Sequence, residues 1–206
     1  MAKRNRKTQS RREAVLGDYV VPYHGGLPAD ICGKIIDAFE RDPGRQASKT
    51  AAGIVESGRG GEMVAMKGPG WAELREFVNR KTVDCMHDYA ARFSGLEFIL
   101  KREETTLSPP VIEKVGPGQE FGWHIDSGPM GTYRRFLSVL TYLKDVNDGG
   151  RTEFPLQSKA LQPRQGTIVL FPPYWMFPHR GAPPASEVKY NLTSYFMVPE
   201  RAQFEL

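Results

Sequence analysis

The chain has 206 residues, 40% apolar and 25% charged, which suits one soluble globular domain with room for a substantial core. Its longest apolar runs fall far short of a membrane span, and no apolar segment near the N-terminus has the form of a signal peptide. The net charge of +4 is unevenly spread: Lys3, Arg4, Arg6, Lys7, Arg11 and Arg12 put +6 into the first 12 residues, leaving a remainder with 22 basic and 24 acidic side chains. Residues 1–14 therefore read as a basic, disordered, solubilising tail, with contact to nucleic acid or a ribosome as the alternative use of its charge. Cys32 and Cys85 stand alone without metal-type spacing, so a reducing, cytoplasmic setting is expected.

The remaining residues, 15–206, are expected to form a single domain, with helical support over 27–95 and a β core over 96–200. Val15 to His24 predicts a short strand or extended entry segment, closed by Gly25-Gly26. Leu27-Pro28-Ala29-Asp30 opens a helix in which Ile31, Ile35, Ile36 and Phe39 recur at helical spacing, and Pro43-Gly44 stops it. Residues 44–70 are rich in glycine and small side chains, with short extended pieces near Gly53 to Glu56 and Met63 to Met66; they suit a loop or irregular hairpin that includes a mobile flap. A second helix follows Pro69-Gly70-Trp71, with Leu74, Phe77, Val78, Cys85, Tyr89 and Phe93 near one stripe and Ser94-Gly95 at its end.

From residue 96 the pattern becomes that of strands. Leu96 to Leu100, Val111 to Val115, Phe121 to Asp126, Phe136 to Tyr142, Gly166 to Phe171 and Leu192 to Val198 are short apolar or alternating runs punctuated by Pro and Gly turns. Helices followed by many short strands predict an α+β, mainly β fold: a sandwich or jelly roll with the N-terminal helices packed on one sheet.

Within this β region lies His124-Ile125-Asp126. In an extended chain alternate side chains share a face, so the imidazole and the carboxylate point the same way and offer two of three ligands for a metal. His24 and His87 sit in a loop and on a helix, where surface or structural roles are expected. His179 follows an apolar strand and a Pro-Pro turn 53 residues after Asp126, far enough to cross a small barrel and return beside the first pair. Ten residues later Lys189 begins the last long strand. A lysine is costly to bury unless it meets an anion, and a small dicarboxylate next to a metal would supply one.

This order resembles the 2-oxoglutarate- and Fe(II)-dependent dioxygenases, and in particular the prolyl 4-hydroxylase branch. The supporting text is Gly122-Trp123-His124-Ile125-Asp126, Arg135 to Leu143, Gly149-Gly150-Arg151-Thr152-Glu153-Phe154-Pro155, Gly166 to Pro172, Pro178-His179-Arg180-Gly181 and Lys189-Tyr190. The resemblance covers residues 111–198. It implies a double-stranded β-helix with iron at its mouth held by His124, Asp126 and His179. Lys189 and Tyr142, assisted by Thr193, would take the distal carboxylate of 2-oxoglutarate, and Arg135 would face substrate. It further implies O2 as oxidant, ascorbate as a reductant, and hydroxylation of a C–H bond with release of succinate and CO2. The carboxylate at Asp126 occupies the position a halide would need, so hydroxylation rather than halogenation is implied.

A prolyl residue of a peptide or protein is the implied substrate. Trp123, Tyr133, Tyr174 and Trp175 are candidates to line a groove for it, with core packing as the alternative. The chain departs from the family where a tyrosine often precedes the H-x-D segment: Lys114-Val115 stands there, and Phe121 replaces a second tyrosine. Other readings are hydroxylation of a small molecule or another side chain, a zinc hydrolase, and a non-catalytic nucleic-acid-associated protein.

Overall fold

The computed structural model describes residues 16–48, 61–93, 95–102, 104–128 and 131–200. In chain order the strands and helices are β1 (Val21–Tyr23), α1 (Ala29–Arg41), β2 (Gln46–Ala47), β3 (Glu62–Ala65), α2 (Ala72–Arg92), α3 (Gly95–Arg102), β4 (Thr106–Leu107), β5 (Val111–Val115), β6 (Phe121–His124), β7 (Arg135–Tyr142), β8 (Thr152–Phe154), β9 (Lys159–Leu161), β10 (Ile168–Phe171), β11 (His179–Gly181) and β12 (Lys189–Met197). The basic tail and the expected strand at Gly53 to Glu56, in the middle of the glycine-rich flap, lie outside the described residues.

Two antiparallel sheets face each other. The major sheet runs β1-β10-β7-β12-β5-β3-β2, with β4 also paired to β12; the minor sheet runs β6-β11-β8-β9. Burial along β7 is nearly continuous, because the strand is covered on both sides. Its outward residues Leu137 and Val139 join Ile112, Ile168, Leu170 and Leu192 under the helices, where α1 contributes Cys32, Ile35 and Phe39 and α2 contributes Val78, Cys85, Met86 and Tyr89. Each of these fully buried aliphatic or aromatic side chains is worth roughly 1.5–3 kcal/mol of transfer free energy. The inward residues Leu140 and Tyr142 instead meet Phe154, Val169, Phe171 and Phe177 between the sheets. The expected jelly roll with helices on one sheet is therefore what the chain adopts.

Four local expectations change. Residues 96–100 form part of helix α3, not a strand, so the helical part runs on to Arg102 rather than ending at 95. Leu96, Ile99 and Leu100 are the half-buried positions and Phe98 is exposed, a spacing of three and four that a five-residue apolar run conceals. The Glu97–Lys101 pair at 2.7 Å is the helical signature in that stretch. The entry segment is a 3-10 turn over Leu16–Tyr19 followed by β1, and the turn is pinned by the Tyr89 hydroxyl, which donates to the Tyr19 carbonyl at 2.9 Å. β1 and β3 fall where extended pieces were expected and join the major sheet, whereas the short strands β2, β4, β8, β9 and β11 were not anticipated.

One glycine fixes the joint between helices and sheet. Gly166 has φ +73° and sits so close to the Leu27 carbonyl that a Cβ would collide with it, while its own carbonyl accepts from Leu27 N–H at 2.9 Å.

Candidate active site

His124 ends β6 and His179 begins β11. The two are register partners in the minor sheet, so their rings lie 4.3 Å apart, centroid to centroid. Asp126 follows β6 in a loop whose Asp126 and Ser127 N–H groups both donate to the Pro173 carbonyl, at 3.1 and 2.9 Å. One side-chain donor atom from each of His124, Asp126 and His179 lies within 4.8 Å of the other two.

The protonation pattern follows from the partners. His124 Nδ1 lies 2.8 Å from the Gly122 carbonyl and His179 Nδ1 lies 3.0 Å from the Phe177 carbonyl. A carbonyl can only accept, so each Nδ1 carries a proton, and the nitrogen left to bind a metal on each ring is Nε2, turned inward. Those Nε2 atoms stand 3.6 and 3.7 Å from the Asp126 oxygens, too far for hydrogen bonds. Three converging groups, each able to offer an electron pair, suit a divalent cation, and two imidazoles with one carboxylate suit non-haem Fe(II).

The major sheet holds the carboxylate. Ser138 of β7 donates to Asp126 Oδ2 at 2.7 Å, and the Tyr195 hydroxyl of β12 donates to Oδ1 at 3.4 Å. Arg135 donates to the Asp126 backbone carbonyl at 2.8 Å while its guanidinium stacks 3.7 Å above the Tyr195 ring. Burial and the Asp126 charge push the Tyr195 phenol well above its ordinary range, which keeps it a donor. Phe154 stacks on His179 and Phe171 packs edge-on to it, giving that imidazole a dry surround.

Deeper between the sheets lies Lys189, 3% exposed, with its ammonium 5.6 Å from the Tyr142 ring centroid. A Cβ added to Gly181 would lie 3.6 Å from Nζ, so the side chain spans from β12 to the minor sheet two residues beyond His179. Burial pushes the Lys189 pKa down to about 8, opposed by the charge of Glu113. The Tyr142 hydroxyl donates to Thr152 at 2.7 Å, and burial raises its pKa above the ordinary phenol range. Thr193 donates to Glu113 at 3.0 Å.

The outer candidates separate. Trp175, 73% exposed, projects from the loop that carries Pro173, beside Tyr174; Tyr133 is exposed in the loop after Asp126. Trp123 occupies the face of β6 opposite His124, where Arg180 stacks 4.9 Å from its ring and pairs with Glu153 at 2.7 Å. His24 sits 3.2 Å from the Thr167 hydroxyl and His87 is exposed on α2, both apart from the cluster. Ser138, Tyr195 and Glu113 were passed over in the sequence. Their signal was the period of two: Ser138 shares a strand face with Tyr142, and Tyr195 shares one with Lys189 and Thr193.

No curated protein matches the chain. Solved structures match over most of its length. The viral collagen prolyl hydroxylase of Paramecium bursaria Chlorella virus-1, in its 2OG complex, is 20% identical with a TM-score of 0.68, over 91% of this chain and 100% of that one. A Pseudomonas putida prolyl-4-hydroxylase is 21% identical with a TM-score of 0.65, over 87% of this chain and 92% of that one. A Trichoplax adhaerens prolyl hydroxylase, in complex with a hypoxia inducible factor oxygen degradation domain peptide fragment, is 17% identical with a TM-score of 0.69, over 87% and 84%. At such identities the likeness speaks for the jelly-roll fold. Residues 111–197 match the model of the 2OG-Fe(II) oxygenase superfamily, a span that runs from β5 through β12 and contains every site residue described above. Over this span the β core is similar to the 2OG-Fe(II) oxygenase superfamily, whose members the jelly-roll neighbours also resemble in fold.

Proposed function

We propose that the chain is a 2-oxoglutarate-dependent dioxygenase that hydroxylates a prolyl residue of a peptide or protein, with His124, Asp126 and His179 holding Fe(II). The observation that carries the reading is the juxtaposition across the sandwich of two inward Nε2 atoms, a carboxylate fixed by Ser138, and a buried ammonium at Lys189. When bound, the iron with 2-oxoglutarate and O2 supplies the oxidation that places a hydroxyl on carbon, with succinate and CO2 as co-products and ascorbate as a reductant.

The chain's own residues do the rest. Lys189 receives the distal carboxylate, which relieves the cost of a buried cation, and Tyr142 adds its hydroxyl beside it. Ser138 and Tyr195 hold the Asp126 carboxylate in one orientation, and Phe154 and Phe171 exclude water around His179. Arg135, beside Asp126, orients the substrate backbone, and the exposed rings of Trp175, Tyr174 and Tyr133 offer stacking surface to an extended peptide. The peptide-bound Trichoplax relative and the two other prolyl hydroxylases support this choice of substrate. Cys32 and Cys85, both free and buried, suit a reducing compartment such as the cytoplasm, and among the described residues no helix is long and apolar enough to cross a membrane.

The test begins with anaerobic Fe(II) and 2-oxoglutarate, which should give a visible charge-transfer band, and succinate on admission of air. Proline-containing peptides incubated with the enzyme should then gain one oxygen at proline by mass spectrometry. Loss of both signals in His124→Ala and Asp126→Ala is expected. Succinate production that survives those changes would overturn the ligand assignment, and oxygen gained only on other residues would overturn the prolyl reading.

A further inference from the structure

The inner face of the major sheet that carries Lys189 carries a second charge. Glu113 lies on β5, whose register places Asn191 opposite it and Thr193 opposite Val111. Thr193 donates to Glu113 Oε2, and the Glu113 charge acts on Lys189 and on Tyr195 alike. The carboxylate therefore shares the inner face of Lys189, Thr193 and Tyr195 rather than facing the helices. Between them sits Asn191, 3% exposed, whose Oδ1 has no hydrogen-bond partner among the described residues. A dicarboxylate entering here meets an anion already in place.

The groups facing this pair can be named from each neighbouring element. β7 presents the Tyr142 phenol; β12 itself presents Tyr195; β3 brings Met63 opposite Glu113 and Ala65 opposite Val111, neither charged; β11 brings Gly181 and β6 brings Phe121. Among the described residues Glu113 is thus the one ionised group acting on the Lys189 ammonium.

We propose that Glu113 is a resident counter-ion for Lys189, which holds the ammonium ionised before the co-substrate binds and opposes its distal carboxylate afterwards. Affinity for 2-oxoglutarate and the pH range of binding are then set by this one side chain. The proposal rests on Lys189 as the co-substrate anchor. Two effects of opposite sign follow. Removing the carboxylate removes a like charge from beside the ligand and tightens binding wherever Lys189 is protonated. It also removes the charge that keeps Lys189 protonated, so binding begins to fail at a lower pH.

The experiment is calorimetric titration of the Mn(II)-loaded protein with 2-oxoglutarate under nitrogen, from pH 6.5 to 8.5. Wild type is compared with Glu113→Gln, which keeps an acceptor for Thr193, and with Glu113→Leu, which matches the apolar neighbours on β5. At pH 6.5 both variants should bind roughly tenfold tighter, as expected for one like charge on the same face in a partly screened site. Their affinity should decline from about one pH unit lower than that of wild type, with proton uptake visible as a buffer-dependent heat. Wild-type affinity at pH 6.5 in both variants, or weaker binding there, overturns the proposal. Lys189→Met separates this from failure of the anchor. If wild type takes up no 2-oxoglutarate, or Lys189→Met binds it as well as wild type, the anchor reading falls and this proposal with it.

Discussion

Lys189 should cost the empty protein stability, and Lys189→Met measures how much. The side chain is 3% exposed and its pKa falls from 10.5 to about 8, with burial as the cause. At 1.36 kcal/mol per unit, the folded state carries roughly 3 kcal/mol of penalty for keeping that ammonium charged. The sign follows from linkage: between about pH 8 and 10.5 the unfolded chain holds a proton that the folded chain has lost, so the wild type gains stability as pH rises through that window. Below pH 8 the penalty is present in full. Methionine fills similar volume without charge, so at pH 7 the variant should be more stable by about 2–3 kcal/mol, the lower figure allowing for a Glu113 left without its cation. Denaturant melts of the metal-free proteins at pH 7 and pH 10 provide the test, and the difference between the two proteins cancels every other titrating group. The gap should close toward pH 10, and 2-oxoglutarate binding should be lost at every pH. A variant less stable than wild type at pH 7, or a gap unchanged at pH 10, would refute the account of Lys189 as a cation held for a missing anion.

Ser138→Ala removes the 2.7 Å hydrogen bond to Asp126 Oδ2, so Mn(II) affinity by calorimetry should fall by about tenfold to a hundredfold. Unaltered affinity would show that Ser138 does not orient the ligand. Bound Mn(II) should slow amide exchange at β6 and β11 by at least roughly tenfold while leaving Leu140 of β7 unchanged, because local opening is the faster route in the shorter strands; equal protection of both sheets would argue against it.

The clustering of the candidate site was partly legible before any fold was known, and the reason is periodicity. The rule of two put His124 and Asp126 on one side of the chain, although β6 ends at His124 and Asp126 is placed by the following loop, and Lys189 declared itself by standing at the head of an apolar strand. What was not legible depends on register across strands. Nothing in the order of residues says that His179 pairs with His124, or that Ser138 lies beneath Asp126 although 12 residues separate them. Glu113 sits between Ile112 and Lys114, and only the β5–β12 pairing shows that it shares the inner face with Lys189 and Thr193. The helix at 95–102 was missed for a different reason: a short apolar run fits either period, and packing of Leu96, Ile99 and Leu100 against the helical core decides it.

The two sheets contribute unequal things to the site. The minor sheet has strands of three or four residues and supplies both imidazoles, each oriented by a carbonyl two residues earlier in its own chain. The major sheet, with strands of eight and nine residues buried under helices, supplies none of the three candidate ligands but fixes the Asp126 carboxylate and its backbone through Ser138, Tyr195 and Arg135. Asp126 is thus tied to one sheet by hydrogen bonds and to the other by the chain itself, since it follows β6 by two residues. A cation bound by all three side chains would join the weak sheet to the strong one at the mouth, while Lys189 reaching toward Gly181 joins them deeper in. The rigid sheet can therefore set the geometry that the short strands alone could not hold, and the open edge of the sandwich stays free to admit a substrate.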